Sequence, residues 1–336
     1  MRLVSLGIGV LLAVIVPILW GCGSEEAPLT KVTFMAGFKP QANLPFVAAY
    51  VAKEKGYFRE QGLEVEIRHS TGQHLQLLMS GDVDITTADA SSVLKRRADP
   101  GLPIVAFALF GQRGQQGFAV LKESGIQSPK DWEGKTFGYK TSVPPDYIAM
   151  LEAGEVDRSK IREVRVGFDP RILTEGKVDI LAIFKSNEPD TLRRLGFEVT
   201  VFDAADHAVP TLGLTYITRE ERLETDPESV ERFLKATMKG LDFAFENIED
   251  ALDIVLLYAE NEDRDHMRNM LLMEKEDAVS PLTEQKGLGW MTEVQWQAFH
   301  DSLLEHNALA NAVDVRSAFT VLFLDQVYDD GNLRWP

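Results

Sequence analysis

Few residues in this chain could do covalent chemistry, and their spacing does not favour it. The six histidines (His69, His74, His207, His266, His300 and His306) show no H-E-x-x-H or comparable metal spacing, and no G-x-S-x-G nucleophile frame occurs. Cys22 is the single cysteine, so no internal disulfide and no cysteine metal site can form. What remains is the chemistry of recognition. Glu188 can accept hydrogen bonds from an amine or a ring N–H, and Asn187 beside it both donates and accepts. Asp89 and Ser91 make a second polar group about a hundred residues earlier. Lys39, Arg113, Lys140 and Lys185 fall in expected loops, where a cationic cleft would suit a sulfonate or phosphate. Bland roles stay open for all of these. A carboxylate at a helix N-terminus complements the dipole, and a lone Lys or Arg is commonly a solvated surface charge. The segment 111–117 (GQRGQQG) is glycine-rich without a phosphate-loop frame and is expected to be a mobile loop at a hinge.

The elements that must position these residues alternate between strand and helix patterns from Lys31 onward, which predicts an α/β protein with mostly parallel sheets. Strands are expected over 32–35, 63–67, 83–86, 104–110, 136–139 and 213–217. Leu63, Val65 and Ile67 alternate with Glu64, Glu66 and Arg68, the period of a strand with one wet face. Helices are expected from Pro45 and over 73–79, 90–98, 142–151, 227–247, 248–260, 263–274 and 292–308. A repeat joins the two halves. Leu78 to Ile85 (LMSGDVDI) and Leu173 to Ile180 (LTEGKVDI) share the frame L-x-x-G-x-V-D-I, a helix end, a glycine cap and a strand. It predicts one unit used in two lobes, with lobe 1 built from 31–118 and 204–336 and lobe 2 from 119–203. Ligands of open α/β sheets bind beyond the carboxyl ends of strands, here after Ile85 and after Ile180.

The first residues address location. Met1-Arg2-Leu3 is a short basic start, and 4–19 is an almost unbroken apolar run of about 16 residues, short of the roughly 20 that a spanning helix needs. Leu19-Trp20-Gly21-Cys22 resembles the lipobox of bacterial lipoproteins, which implies a signal over 1–21, acylation of Cys22 and a polar tether over 22–30. The formal net charge is −17, and removing Arg2 with the leader makes it −18, which argues against a nucleic-acid partner. About 315 residues remain, enough for a core that is stable without disulfides.

Several blocks resemble one family over essentially the whole mature chain. Asn43 to Ala48 (NLPFVA), Lys53 to Phe58 (KEKGYF) and Gly62 to Val65 (GLEV) resemble the opening of the NMT1/THI5-like solute-binding proteins. Gly81 to Ile85 (GDVDI), Asn187-Glu188-Pro189, and Trp296, Val313, Asp314 and Phe319 match later blocks. The resemblance implies a type II periplasmic-binding-protein fold, two lobes closing on a ligand, and an ABC permease and ATPase as partners of a monomeric, membrane-tethered, cofactor-free and metal-free binder. The Asn-Glu-Pro block is more typical of members that carry thiamine-pyrimidine precursors or riboflavin; the opening block is shared with alkanesulfonate, taurine and nitrate binders. A flat heterocycle needs aromatic faces and a few polar groups that fix its orientation. The expected ligand residues are Phe38, Asn43, Asp89, Ser91, Phe110, Arg113, Phe118, Ser142, Tyr147, Asn187, Glu188 and His207. For each phenylalanine, core packing is the competing role. Eukaryotic relatives in this family are pyrimidine synthases that use a pyridoxal lysine, a consumed histidine and a cysteine-rich iron site. Thr86 to Ser92 (TTADASS) here holds neither His nor Lys, and no cysteine follows Cys22.

Overall fold

Ten strands make two five-stranded sheets, and the chain passes between them twice. The computed structural model describes residues 28–140 and 142–336; the leader, Cys22 and most of the expected tether lie outside the described residues. The first sheet contains β1 (Thr30–Ala36), β2 (Leu63–His69), β3 (Ile85–Asp89), β4 (Ile104–Leu109) and, after the return, β10 (Leu214–Arg219), in the order β2-β1-β3-β10-β4. The second contains β5 (Gln116–Leu121), β6 (Thr136–Tyr139), β7 (Arg162–Arg165), β8 (Ile180–Phe184) and β9 (Val199–Phe202), in the order β7-β6-β8-β5-β9. Each sheet is parallel except beside the strand by which the chain arrives. β5 runs antiparallel to β8 and β9, and β10 antiparallel to β3 and β4. This is a two-lobed α/β fold with helices on the sheets. β1 starts at Thr30, within the stretch expected to be tether.

The repeated frame is one structural unit in both lobes. Helix His74–Ser80 ends on Gly81 at φ 85°, and helix Arg171–Thr174 is followed by Gly176 at φ 66°, left-handed turns that suit glycine. The aspartate of each frame then ties its strand to the neighbour. Thr33 N–H donates to Asp84 Oδ2 and Thr136 N–H to Asp179 Oδ2, both at 2.8 Å.

The segment expected as a mobile loop at 111–117 is instead a backbone-bonded crossing that runs into β5. Phe110 N–H donates to Leu214 O at 2.8 Å and Gly213 N–H to Gly111 O at 2.9 Å. A Cβ on Gly111 would lie 2.9 Å from Gly213 Cα, so the two crossings touch because neither carries a side chain there. Lobe 1 holds one large core, which includes Phe34, Phe46, Tyr216 and Phe233. Lobe 2 holds two smaller ones; Phe118, Trp132, Phe137 and Tyr147 belong to the first, and Leu173, Leu181 and Leu192 to the second.

Two helices differ from expectation in ways that matter for the site. The helix expected over 142–151 is Pro145–Ala153. Residues that precede a proline avoid the α region, so Val143 and Pro144 stay extended and Pro145 takes the first helical position. The helix expected over 263–274 is Arg264–Ala278, capped by Asp263, whose side chain accepts from His266 N–H at 2.9 Å. Its extra turn carries Asp277 into the hinge.

Candidate functional site

Between the lobes lies a cleft of about 250 Å³. Lobe 1 contributes Asp89 at the end of β3, with Ser91, Ser92 and Lys95 on the following helix Ala90–Ala98. Lobe 2 contributes Lys140, Ser142, Asp146, Phe168 and Phe184. The crossings contribute Gly114, Gln115 and Thr211. Gly114 N–H donates to Thr211 Oγ1 at 2.9 Å, which ties the two crossings where they floor the cleft.

The wall chemistry is aromatic and acidic. Phe168 is 70% exposed and Phe184 37%, and the Lys140 ammonium lies 5.8 Å and 4.9 Å from their ring centroids. Asp89 is the N-cap residue of its helix but its carboxylate caps nothing, and it makes no hydrogen bond among the described residues. Burial raises its pKa, with Lys95 pulling the other way. Asp146 sits in the first turn of Pro145–Ala153, and burial pushes it up to about 6. Burial lowers the pKa of Lys95, opposed by Asp89 and then Asp146. Lys95 makes no ion pair among the described residues, so one unpaired cation on the cleft wall meets two carboxylates.

The four cations that favoured an anionic ligand are all neutralised by carboxylates. Lys39 pairs with Glu262, and Lys140 with Glu188. Arg113 bridges Asp203 at 2.9 Å and Asp206 at 2.6 Å, while Lys185 bridges Asp203 at 2.6 Å and Asp277 at 3.0 Å. Of the four, Lys140 alone lines the cleft.

Of the residues expected at the ligand, Asp89, Ser91 and Ser142 line the cleft. Four lie in the hinge instead. Asn43 donates to Glu274, Phe110 lines a small hinge cavity and Arg113 holds Asp203. Asn187 meets His266 at 3.0 Å. Glu188 sits behind the wall, buried, with one oxygen on Lys140 and the other accepting from Phe184 N–H at 2.8 Å. Phe118 and Tyr147 are buried in the lobe 2 core, where Tyr147 stacks on Phe137 with centroids 3.9 Å apart. Phe38 is exposed beyond β1, and His207 ends the short turn Ala204–His207 with its ring 6.5 Å from Phe202; neither lines the cleft. Sequence reasoning missed Lys95, Gln115, Asp146, Phe168 and Phe184. For Phe184 a signal existed, because it is the last residue of β8 and the strand-end rule pointed to the residues that follow Ile180. No three or more His, Cys, Asp or Glu side chains are grouped to hold a metal ion, and no helix is long and apolar enough to cross a membrane, among the described residues.

Comparison with known proteins agrees with this architecture. The formylaminopyrimidine-binding protein of Halalkalibacterium halodurans is 28% identical over 295 residues, which cover 83% of this chain and 88% of that one. The riboflavin-binding protein RibY of Chloroflexus aurantiacus is 28% identical over 313 residues, covering 90% and 88%. A 4-amino-5-hydroxymethyl-2-methylpyrimidine phosphate synthase of Saccharomyces cerevisiae is 28% identical over 232 residues, covering 63% and 66%. Among solved structures, the periplasmic aliphatic sulphonate binding protein SsuA of Escherichia coli superposes with a TM-score of 0.64 at 13% identity, covering 87% of this chain and 92% of that one, a likeness of fold. The NMT1/THI5-like family model matches residues 43–251, and the chain belongs to that family.

Proposed function

We propose that this protein is the substrate-binding component of an ABC importer, capturing a small nitrogen heterocycle of the aminopyrimidine type between its lobes. One observation carries the reading: Phe168 and Phe184 are exposed in a cleft whose unpaired charges are mainly acidic, Asp89 and Asp146 against Lys95. A flat ring stacks on the phenylalanines, and its amine or ring N–H donates to a carboxylate. A sulfonate or nitrate would meet two carboxylates there, while Arg113 and Lys185 are already occupied. A space of about 250 Å³ falls below the roughly 300–1,000 Å³ of pockets for drug-sized ligands, so a single ring fits better than a flavin. The ligands named for the two bacterial relatives, a formylaminopyrimidine and riboflavin, are both nitrogen heterocycles and support that class.

In this reading the protein acts as a monomer without enzymatic turnover. Closure of lobe 1 on lobe 2, divided near residues 118 and 204, about the two crossings presents a new outline to the permease and ATPase. Export and acylation at Cys22 tether it to a membrane on the periplasmic or extracytoplasmic side. Cys22→Ser should release a folded, soluble protein; retention in the membrane after a salt wash would refute the tether. Mass spectrometry of the ligand that copurifies with the folded protein tests the main reading. A pyrimidine is expected; a copurifying sulfonate, or a visible cofactor absorbance, would contradict it.

A further inference from the structure

The most heavily hydrogen-bonded buried carboxylate outside the cleft is Glu274, and it connects the hinge to the ligand space. It lies on helix Arg264–Ala278 and is 4% exposed. Four donors from three parts of the chain converge on it. Leu44 N–H, at the start of helix Leu44–Glu54, donates to Oε2 at 2.8 Å, and the Asn43 amide donates to Oε1. Ser186 Oγ, from the loop after β8, lies 3.4 Å from Oε1, and Gln115 Nε2 donates to the same oxygen at 3.0 Å. The other charged groups nearby are Asp277, one turn along the same helix, and the Lys185 ammonium that Asp277 shares with Asp203. Beside Glu274 is a cavity of about 10 Å³, lined by Phe110, Gly111, Gln115 and Asp277 among others, which at most admits one water.

Gln115 lines both this hinge cavity and the cleft. All four partners of Glu274 donate to it, so Oε1 accepts from the nitrogen end of the Gln115 amide whether the carboxyl is ionised or carries a proton on Oε2. The carbonyl oxygen is then the free end of that amide, and it accepts no hydrogen bond among the described residues. We propose that Glu274 is a positioning residue that fixes the Gln115 amide with its nitrogen in the hinge and its oxygen toward the cleft, so that the ligand must offer a hydrogen-bond donor at that point. This deepens the reading of the cleft as a heterocycle site and rests on it. It adds a third acceptor to Asp89 and Asp146, from the hinge rather than from either wall. A ligand that satisfies all three carries several N–H donors around one ring, as an aminopyrimidine does and a sulfonate does not.

The pairing can be read without any ligand. Burial pushes the Glu274 carboxyl up to about 8, so it titrates in an accessible range. In 15N spectra of the full-length protein, the Gln115 side-chain amide, assigned by its loss in Gln115→Met, should shift with pH around that value. In Glu274→Gln the shift should vanish. By calorimetry, 4-amino-5-hydroxymethyl-2-methylpyrimidine should bind roughly three- to tenfold more weakly to Gln115→Met and to Glu274→Gln. The exchanged pair Glu274→Gln with Gln115→Glu restores a donor in the hinge and an acceptor toward the cleft, and should recover most of the affinity. An amide signal that ignores pH, or that titrates equally in Glu274→Gln, would overturn the proposal. So would wild-type affinity in Gln115→Met, which leaves the hinge carboxylate in place and should fold normally. If the amide titrates as expected but the wild-type protein binds neither this pyrimidine nor riboflavin, the ligand reading fails and the Glu274–Gln115 pairing stands.

Discussion

The two copies of the L-x-x-G-x-V-D-I frame share a scaffold and differ in what they hold out to the cleft. In each lobe a glycine turns the chain, an aspartate grips a threonine N–H on the adjacent parallel strand, and the strand runs to the cleft edge. Beyond that edge they diverge. In lobe 1, β3 ends on Asp89 and leads into the helix that bears Ser91, Ser92 and Lys95. In lobe 2, β8 ends on Phe184, with Lys140 and Phe168 close by. One wall is polar, and the other adds two exposed phenylalanines to its polar groups. The anchoring differs too, since Arg222 holds Asp84 at 2.5 Å from a largely buried position, whereas Asp179 is exposed and has no such partner among the described residues. The backbone unit is thus conserved between the lobes by geometry, and the residue at its tip is free to set specificity.

If the aromatic wall supplies the stacking, removing it should have the largest effect. Base–aromatic stacking contributes about 1–3 kcal/mol per ring, so Phe168→Ala with Phe184→Ala should weaken pyrimidine binding by about thirtyfold or more in calorimetry. A loss below tenfold would mean that the rings are bystanders. Next comes the scaffold itself. Asp84→Ala removes a backbone hydrogen bond and strips a partner from Arg222, so it should cost about 2–4 kcal/mol in denaturant unfolding, against about 1 kcal/mol for Asp179→Ala. Equal costs would show that the two copies are anchored alike.

The polar wall should give a smaller change in binding. Asp89→Asn keeps the shape but turns one acceptor oxygen into a donor, and a loss of roughly tenfold is expected for an amine-bearing ligand. Taurine or nitrate binding should not suffer from the same change, because a negative charge leaves the cleft. The smallest effect is a pH dependence. Asp146 titrates at about 6 because burial penalises its charged form. Below that pH one of its oxygens becomes a donor, so pyrimidine affinity should fall a few-fold between pH 7 and pH 5, and Asp146→Asn should flatten that slope. Stability moves the opposite way. The folded state holds the proton more tightly than the unfolded chain, so the contribution of this group is present below about pH 4 and is lost as pH rises through about 6. Thermal unfolding of the wild type and Asp146→Asn across that range checks the sign.

Much of the fold was legible because strand and helix periods are local properties of the chain. The alternation at 63–67 and the repeated frame appear as read, and the helix expected from Pro45 starts one residue earlier, at Leu44. The site was less legible. Phe118 and Tyr147 look like stacking platforms in sequence, yet core and cleft phenylalanines are the same residue type, and β8 is buried along most of its length, so period alone does not reveal that Phe184 emerges at its end. Glu188 carried the right chemistry but spends it on Lys140 and a backbone N–H. The hinge acids could not be found by local reasoning, since Glu274 meets Asn43 and Gln115 across 231 and 159 positions of sequence.

The central claim is that the cleft selects an uncharged, donor-bearing ring over an anion, and one titration series tests it. Calorimetry at low and high salt, with 4-amino-5-hydroxymethyl-2-methylpyrimidine, riboflavin, taurine and nitrate, should show the pyrimidine binding most tightly. Its affinity should change little with salt, because stacking and hydrogen bonds to an uncharged ring are weakly screened. Tight binding of taurine or nitrate that weakens as salt rises, with no measurable pyrimidine binding, would contradict the account.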